Sequence, residues 1–417
     1  MIAVPDVIAT QRVDPLAEVV RVEGGRIVAV LARSLGDIQL AEDALQDASV
    51  SATEVWRRNG PPADPAAWLY VAARRKALDV LRREARRTRR EEGAVTLAGQ
   101  LVPELPAPSV VQDDLLRLVF TCCHPSLDLD ARVALALRTL CGLSTAEVAR
   151  VLLVGEAAMS KRLTRAKQKI AVAGIPFRVP NTDELPSRLA GAAAVIHLVY
   201  TAGHAATGGP ELVRADLCEQ AIRLARLLVE LLPGQATAAG LLALLLLTDA
   251  RRATRTDDHG DLIPLADQDR SLWDHKYIDE GVALLDASLQ LTAGVADPYQ
   301  LQAAIAACHD QARSFADTDW PEIVRLYRIL GDVHPNPVVT INAAVATAEV
   351  EGPQTALLEL GAVAEGARTH AWWAVRGGML TRLDRHQEAV AAFRQAATLA
   401  PTEPERRHLD RRADDLT

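Results

Sequence analysis

Apolar residues along this chain recur at intervals of three and four, the period of a helix with one buried face. Met159, Leu163, Ala166 and Ile170 form one such seam. Leu69, Ala73, Ala77 and Val80 form a second, and Leu217, Ala221, Leu224, Leu228 and Leu231 a third. Punctuation follows the same seams. Asp64-Pro65 reads as an N-cap with proline at the first helical position. Ser144 with Glu147, and Asp216 with Glu219, read as capping boxes. Pro233-Gly234 reads as a stop. The run Ala238 to Leu247 is apolar for ten residues. A bilayer needs roughly 20, so this run predicts a buried core helix.

Toward the end the spacing becomes a repeat. Trp373, Gly377, Ala389, Phe393, Ala396 and Pro401 take the relative positions of a tetratricopeptide unit of about 34 residues. Ala344, Ala356 and Leu360 form a weaker copy one unit earlier. The small residues let two helices approach closely while Trp373 and Phe393 fill the groove. An ordinary helical hairpin is the plainer reading of the same spacing.

Composition supports helices throughout. Hydrophobic residues are 49% and aromatics only 4%. The first figure allows a real core and excludes wholesale disorder. The second disfavours strands, which draw on aromatic and β-branched residues. The expected fold is all-α. At roughly 150 residues per domain, 417 residues suggest about three domains. The expected boundaries are 1–88, a Pro-containing polar linker at 89–109, a second helical block at 110–178, and a helical-repeat extension at 179–417.

Charge changes the picture. The formal net charge is −8, which disfavours a uniformly basic nucleic-acid binder. Residues 1–178 nevertheless hold 25 Lys/Arg against 21 Asp/Glu, a net of +4, and residues 179–417 hold 21 against 33, a net of −12. Such asymmetry suggests that only the first part meets a polyanion. The first fifteen residues lack a basic-then-apolar signal pattern. Five cysteines, an odd and low number, fit reduced thiols. Cys122-Cys123-His124 reads as a buried helix end, because no second Cys/His pair lies at zinc spacing. No metal, no cofactor and a cytoplasmic protein are therefore expected.

The chemistry-bearing segments lie in the first 178 residues. Lys161, Arg162, Arg165, Lys167 and Lys169 crowd one stretch without an acid. They sit on a helix that follows a shorter one begun at Ser144. A helix pair packed on one side and cationic on the other suits a major groove. It also suits the solvated face of a plain hairpin. Earlier, Asp37, Glu42, Asp43, Asp47 and Glu54 give an acidic amphipathic helix, which repels phosphates and fits a basic protein partner. The next helix holds nine Arg/Lys and two acids between Arg74 and Arg90, with Trp68 and Tyr70 at its start. Cations beside aromatic rings fit unpaired DNA. Core packing is the competing role for Trp68.

In this order the segments resemble a bacterial extracytoplasmic-function (ECF) RNA polymerase sigma factor. The motifs are Ala41-Glu42-Asp43-Ala44-Leu45-Gln46-Asp47 through Trp56, then Ala67-Trp68-Leu69 through Arg82-Arg83. Gly142-Leu143-Ser144 through Ala149 and Ser160-Lys161-Arg162-Leu163 through Lys167 follow. They are similar to sigma region 2 and the helix-turn-helix of region 4. The turn departs from the common pattern, with Leu153 for the usual Gly and Gly155 for the usual Ser/Thr cap. Together with Phe120 to Pro125, and with Asp267 to Trp273 and Asn336 to Val339 later, this variant resembles the subgroup with a long C-terminal tetratricopeptide-like extension.

The resemblance implies a transcription initiation factor with no catalysis of its own. It implies that Asp37, Glu42, Asp43, Gln46 and Asp47 dock on the β′ clamp helices of core polymerase, with the β flap a further contact. Trp68, Arg74, Arg75, Lys76, Arg82 and Arg83 would meet the −10 element. Glu156, Ala157, Lys161, Arg162, Arg165 and Lys167 would meet the −35 element. The extension would regulate, through a protein or small molecule, and no membrane is involved. Two other classes stay open: a DNA-binding regulator that does not join polymerase, and an enzyme built on the acidic loop from Asp257 to His275. That loop fits no EF-hand or His-Glu-x-x-His spacing.

Overall fold

Local signals set where the helices begin. The computed structural model describes residues 15–88, 108–152, 154–205 and 212–417. Most of the expected linker, 89–107, lies outside the described residues, as does Leu153. The chain divides into two compact units, Met1–Ala192 and Ala193–Thr417.

In the first unit, α1 (Pro15–Leu35), α2 (Ile38–Asn59) and α3 (Pro65–Thr88) pack on one another. Asp37 caps α2 by accepting from Leu40 N at 3.1 Å, and Asp64 caps α3 by accepting from Ala67 N at 2.9 Å. Each cap satisfies an amide that the helix itself leaves open. The seam of α3 is buried at Leu69, Ala73 and Ala77 as expected. Val80 is only half-buried; Leu78 and Leu81 take the packed side instead.

Four more helices follow among the described residues of this unit: α4 (Pro108–Cys122), α5 (Leu129–Leu135), α6 (Thr145–Val151) and α7 (Glu156–Val172). Residues Ala136–Leu140 continue α5 as a π-helical segment. The capping box at Ser144 forms in both directions, with Glu147 N to Ser144 Oγ at 3.2 Å and Ser144 N to Glu147 Oε2 at 2.7 Å. Met159, Leu163, Ala166 and Ile170 are all buried, so the α7 seam is the one the spacing predicts. α1 also packs on α4 and on the π segment. At Gly25 an added Cβ would lie 3.1 Å from the Leu140 carbonyl oxygen, so the glycine lets the backbones approach a few tenths of an ångström closer than a side chain would.

The long helix α8 (Leu185–His204) contains the division between the units. The second unit continues with α9 (Ala215–Leu231), α10 (Ala236–Asp249), α11 (His275–Gln290), α12 (Pro298–Gln311) and α13 (Trp320–Val333). It ends with α14 (Pro337–Val350), α15 (Pro353–Gly361), α16 (His370–Arg382), α17 (His386–Leu399) and α18 (Glu403–Asp414). The apolar run Ala238 to Leu247 is buried along its whole length within α10. From there the core advances in layers. One cluster joins α10, α11 and α12, the next α12, α13 and α14, the third α14, α15 and α16, and the last α16, α17 and α18. Each layer shares a helix with its neighbour, which is how a helical-repeat array buries a continuous core. Among the described residues there is no strand, only an isolated bridge between Thr256 and Leu262.

Two expectations are corrected here. The start of α9 is capped at Arg214, not Asp216, and carries no side-chain cap. Asp216 pairs with Arg214 instead, at 3.0 and 2.8 Å. In the repeat unit, half-buried Trp373 does pack against the cluster that holds Phe393, but the more deeply buried ring is Trp372, which the repeat spacing does not single out and which donates to the Leu360 carbonyl at 3.0 Å.

Candidate nucleic-acid interface

The recognition-type helix α7 follows α6 after a short turn. Gly155 stands at its N-cap without a side-chain bond. Glu156, Ala157, Lys161 and Arg165 are exposed, the last three on the side away from the buried seam. Arg165 Nε donates to the Lys161 carbonyl at 3.3 Å, which lays its guanidinium along the helix. Arg162 is half-buried and pairs with Asp130 at 3.2 Å. Lys167 differs from the rest: its side chain is 11% exposed, and it donates to Glu42 of α2.

On α3 the cations are graded. Arg75, Arg82 and Arg83 are exposed, whereas Arg74 and Lys76 are half-buried. Arg82 lies 3.7 Å from Asp79. Trp68 is half-buried, and its ring meets Trp56 edge-on at 5.7 Å. It is therefore both a packing residue and a partly presented ring. Tyr70 is fully buried, and burial pushes its hydroxyl up to about 12, so it is core.

On α2, Asp43, Gln46 and Asp47 are exposed. Asp37 is exposed too, but its carboxylate serves as the helix cap. Glu42 departs from the expected solvent-facing acidic surface, because it is 7% exposed. Its carboxylate accepts from the Thr139 hydroxyl and from Lys167. The structure thus joins two residues assigned by sequence to different partners. Thr139 is a contact sequence reading missed, and no local signal marks it.

The Cys122-Cys123-His124 site is a helix end. Both thiols are buried, which raises them, Cys123 to about 12, so neither offers a thiolate. His124 Nδ1 accepts from Ser126 N at 3.1 Å. Among the described residues no three His, Cys, Asp or Glu side chains converge as metal ligands, and no helix is long and apolar enough to cross a membrane.

Residues 19–87 match the family model for sigma-70 region 2, and residues 117–170 that for sigma-70 region 4. Residues 188–289 match a family of unknown function (DUF6596). An uncharacterized protein of Rhizobium meliloti (strain 1021) is 42% identical over 392 residues, covering 93% of this chain and 92% of its own length. The chain belongs to the sigma-70 family, as an ECF-type sigma factor with a C-terminal extension. Region 2 is α1 to α3, and the region 4 match spans the end of α4 to α7. Promoter recognition is the role these two regions carry, and they mark a non-enzymatic transcription factor.

The acidic loop between α10 and α11 lies wholly within the match to the family of unknown function, and it is ordered by its own bonds. Trp273 Nε1 donates to Thr254 Oγ1 at 3.0 Å, and Gln268 Nε2 donates to the Ile263 carbonyl at 3.1 Å. Arg270 stacks 4.6 Å from the Trp273 ring. Its acids cap turns: Asp274 accepts from Lys276 N and Tyr277 N, and Asp269 from Ser271 N.

Proposed function

We propose that this sigma factor binds core RNA polymerase through α2, reads the −10 element with α3 and the −35 element with α7. Its extension then regulates it in the cytoplasm, through a bound protein or small molecule. The observation that carries this reading is the order of the two sigma-70 matches, region 2 and then region 4. Exposure supports the assignment of surfaces. Asp43, Gln46 and Asp47 form an acidic face suited to the β′ clamp helices of a basic partner site, with the β flap left to region 4. Arg75, Arg82 and Arg83 suit a phosphate track beside the Trp68 ring, where captured bases offset lost pairing. Lys161 and Arg165 suit phosphates beside a groove, with Glu156 and Ala157 nearest the base edges.

In vitro transcription with core polymerase, with and without the full chain, tests the reading. Promoter-specific transcripts that require the chain support it. DNA binding without co-purification of core polymerase would instead make the chain a DNA-binding regulator.

A further inference from the structure

The cations of α7 differ in what holds them. Lys161, Arg165 and Lys169 are exposed, whereas the Arg162 side chain is 30% exposed and turns toward α5. There it pairs with Asp130 at 3.2 Å, and α5 and α7 pack on one another. Asp130 is itself 71% exposed. Nearby Asp128 has its carboxylate engaged as the α5 cap, accepting from Ala131 N at 2.8 Å. Among the described residues, Asp130 is the carboxylate that pairs with Arg162.

Spacing gives the pair its meaning. Arg162, Arg165 and Lys169 follow one another at three and four positions, so they form one row along the flank of α7. A row of cations beside a groove suits the phosphate backbone. Two of its members are exposed, and the third is held on α5. An exposed ion pair adds little to stability, so folding alone does not call for an acid at this position.

We propose that Asp130 is a positioning residue for −35 binding: it keeps Arg162 on α5 and so withholds one phosphate contact from α7. This rests on the −35 reading above. Phosphate contacts strengthen binding to every sequence alike, while base edges supply discrimination. Withholding one therefore lowers the sequence-independent part of the affinity. That matters because non-specific sites far outnumber any promoter. Whether Arg162 reaches DNA is then set by the acid on α5, not by its place on α7 alone.

Binding isotherms of the full chain over a range of salt test this. The probes are a duplex that the chain selects from a random pool and a scramble of it. Asp130→Asn should tighten binding to both by roughly five-fold at ~0.15 M salt. It should also steepen log affinity against log salt by about 0.9, the value for one further phosphate contact. Misfolding cannot produce such a gain. In an Arg162→Gln background the same Asp130→Asn change should bring no gain, and Asp130→Glu, which keeps the charge, should bind as wild type does. Unchanged binding by Asp130→Asn overturns the proposal, as does a gain that Asp130→Glu shares. A gain that survives Arg162→Gln also overturns it, because Asp130 would then act as a repelling charge and not through Arg162. Equal affinity for the two duplexes, with the Asp130→Asn gain intact, removes the −35 reading and leaves the withheld contact standing. Failure of every variant to bind either duplex overturns both.

Discussion

Asp261, in the loop after α10, is held by Arg407 of the last helix α18, with Arg407 Nε 2.7 Å from Oδ1. Arg411 takes the other oxygen at 2.6 Å. The loop therefore fastens an early layer of the repeat array to its last helix. These two guanidinium bonds also hold the carboxyl below the usual aspartate range. A depressed carboxylate stabilises the folded state above its ordinary value, and that contribution disappears as pH falls through the lowered one. Asp261→Asn should raise amide exchange in both 255–263 and 403–414 at pH 7 while the α10 core stays protected. Faster exchange in only one of the two segments would show that the pair does not couple them.

Gly377 lies under the ring of Phe393, where an added Cβ would come within 2.7 Å of the ring edge. Phe393 is 1% exposed and cannot swing away. Gly377→Ala should cost about 1–3 kcal/mol through overpacking. The measurement is chemical unfolding of Gly377→Ala, Phe393→Leu and the double variant. Strong non-additivity, with the second change relieving the first, is expected because the atoms touch. Simple additivity would place the strain elsewhere.

Asp310 in α12 is buried, and neither carboxylate oxygen accepts a hydrogen bond from the described residues. Arg251 Nε stands 3.4 Å away, and Arg270 is a further cation nearby. Burial outweighs both and raises the group from 3.8 to about 7. The folded state then holds a proton that the unfolded state has released. Stability from this group is present below the unfolded value and is lost as pH rises through about 7. His309 acts in the opposite sense, since burial lowers it to about 3. The useful quantity is therefore the difference between wild type and Asp310→Asn. The variant should gain relative stability between pH 4 and 8, by roughly 4 kcal/mol at most. Parallel melting curves across that range would remove Asp310 as the cause.

Features written into neighbouring residues were readable without coordinates. The caps at Asp64 and Ser144 need only side chains three positions from their amides, and the α7 seam needs only the helical period; the cap at Asp37 obeys the same rule but in the sequence reads only as part of an acidic face. The closeness of Gly377 to Phe393 was readable because the repeat brings the spacing with it. Asp216 failed as a cap for a tertiary reason: Arg214 N bonds to the Gly203 carbonyl of α8 at 2.7 Å, and this sets where α9 begins. Glu42 with Lys167, and Asp261 with Arg407, lie 125 and 146 positions apart. Nothing local distinguishes such a charge from a solvated one, so Glu42 looked like a member of an open acidic face.

Arg165 offers the cleanest test of the DNA assignment. It is exposed on α7, and its Nε bond to the Lys161 carbonyl keeps the head group along the helix rather than in the protein. Lys167, by contrast, is occupied by Glu42. Arg165→Ala should weaken binding to −35 duplexes of matched and mismatched sequence alike. It should flatten the slope of log affinity against log salt by about 0.9, the value for one lost phosphate contact on B-DNA. Binding isotherms at several salt concentrations decide it. A loss confined to the matched sequence, at unchanged salt slope, would make Arg165 a base reader instead. An unchanged isotherm would take this face of α7 off the DNA.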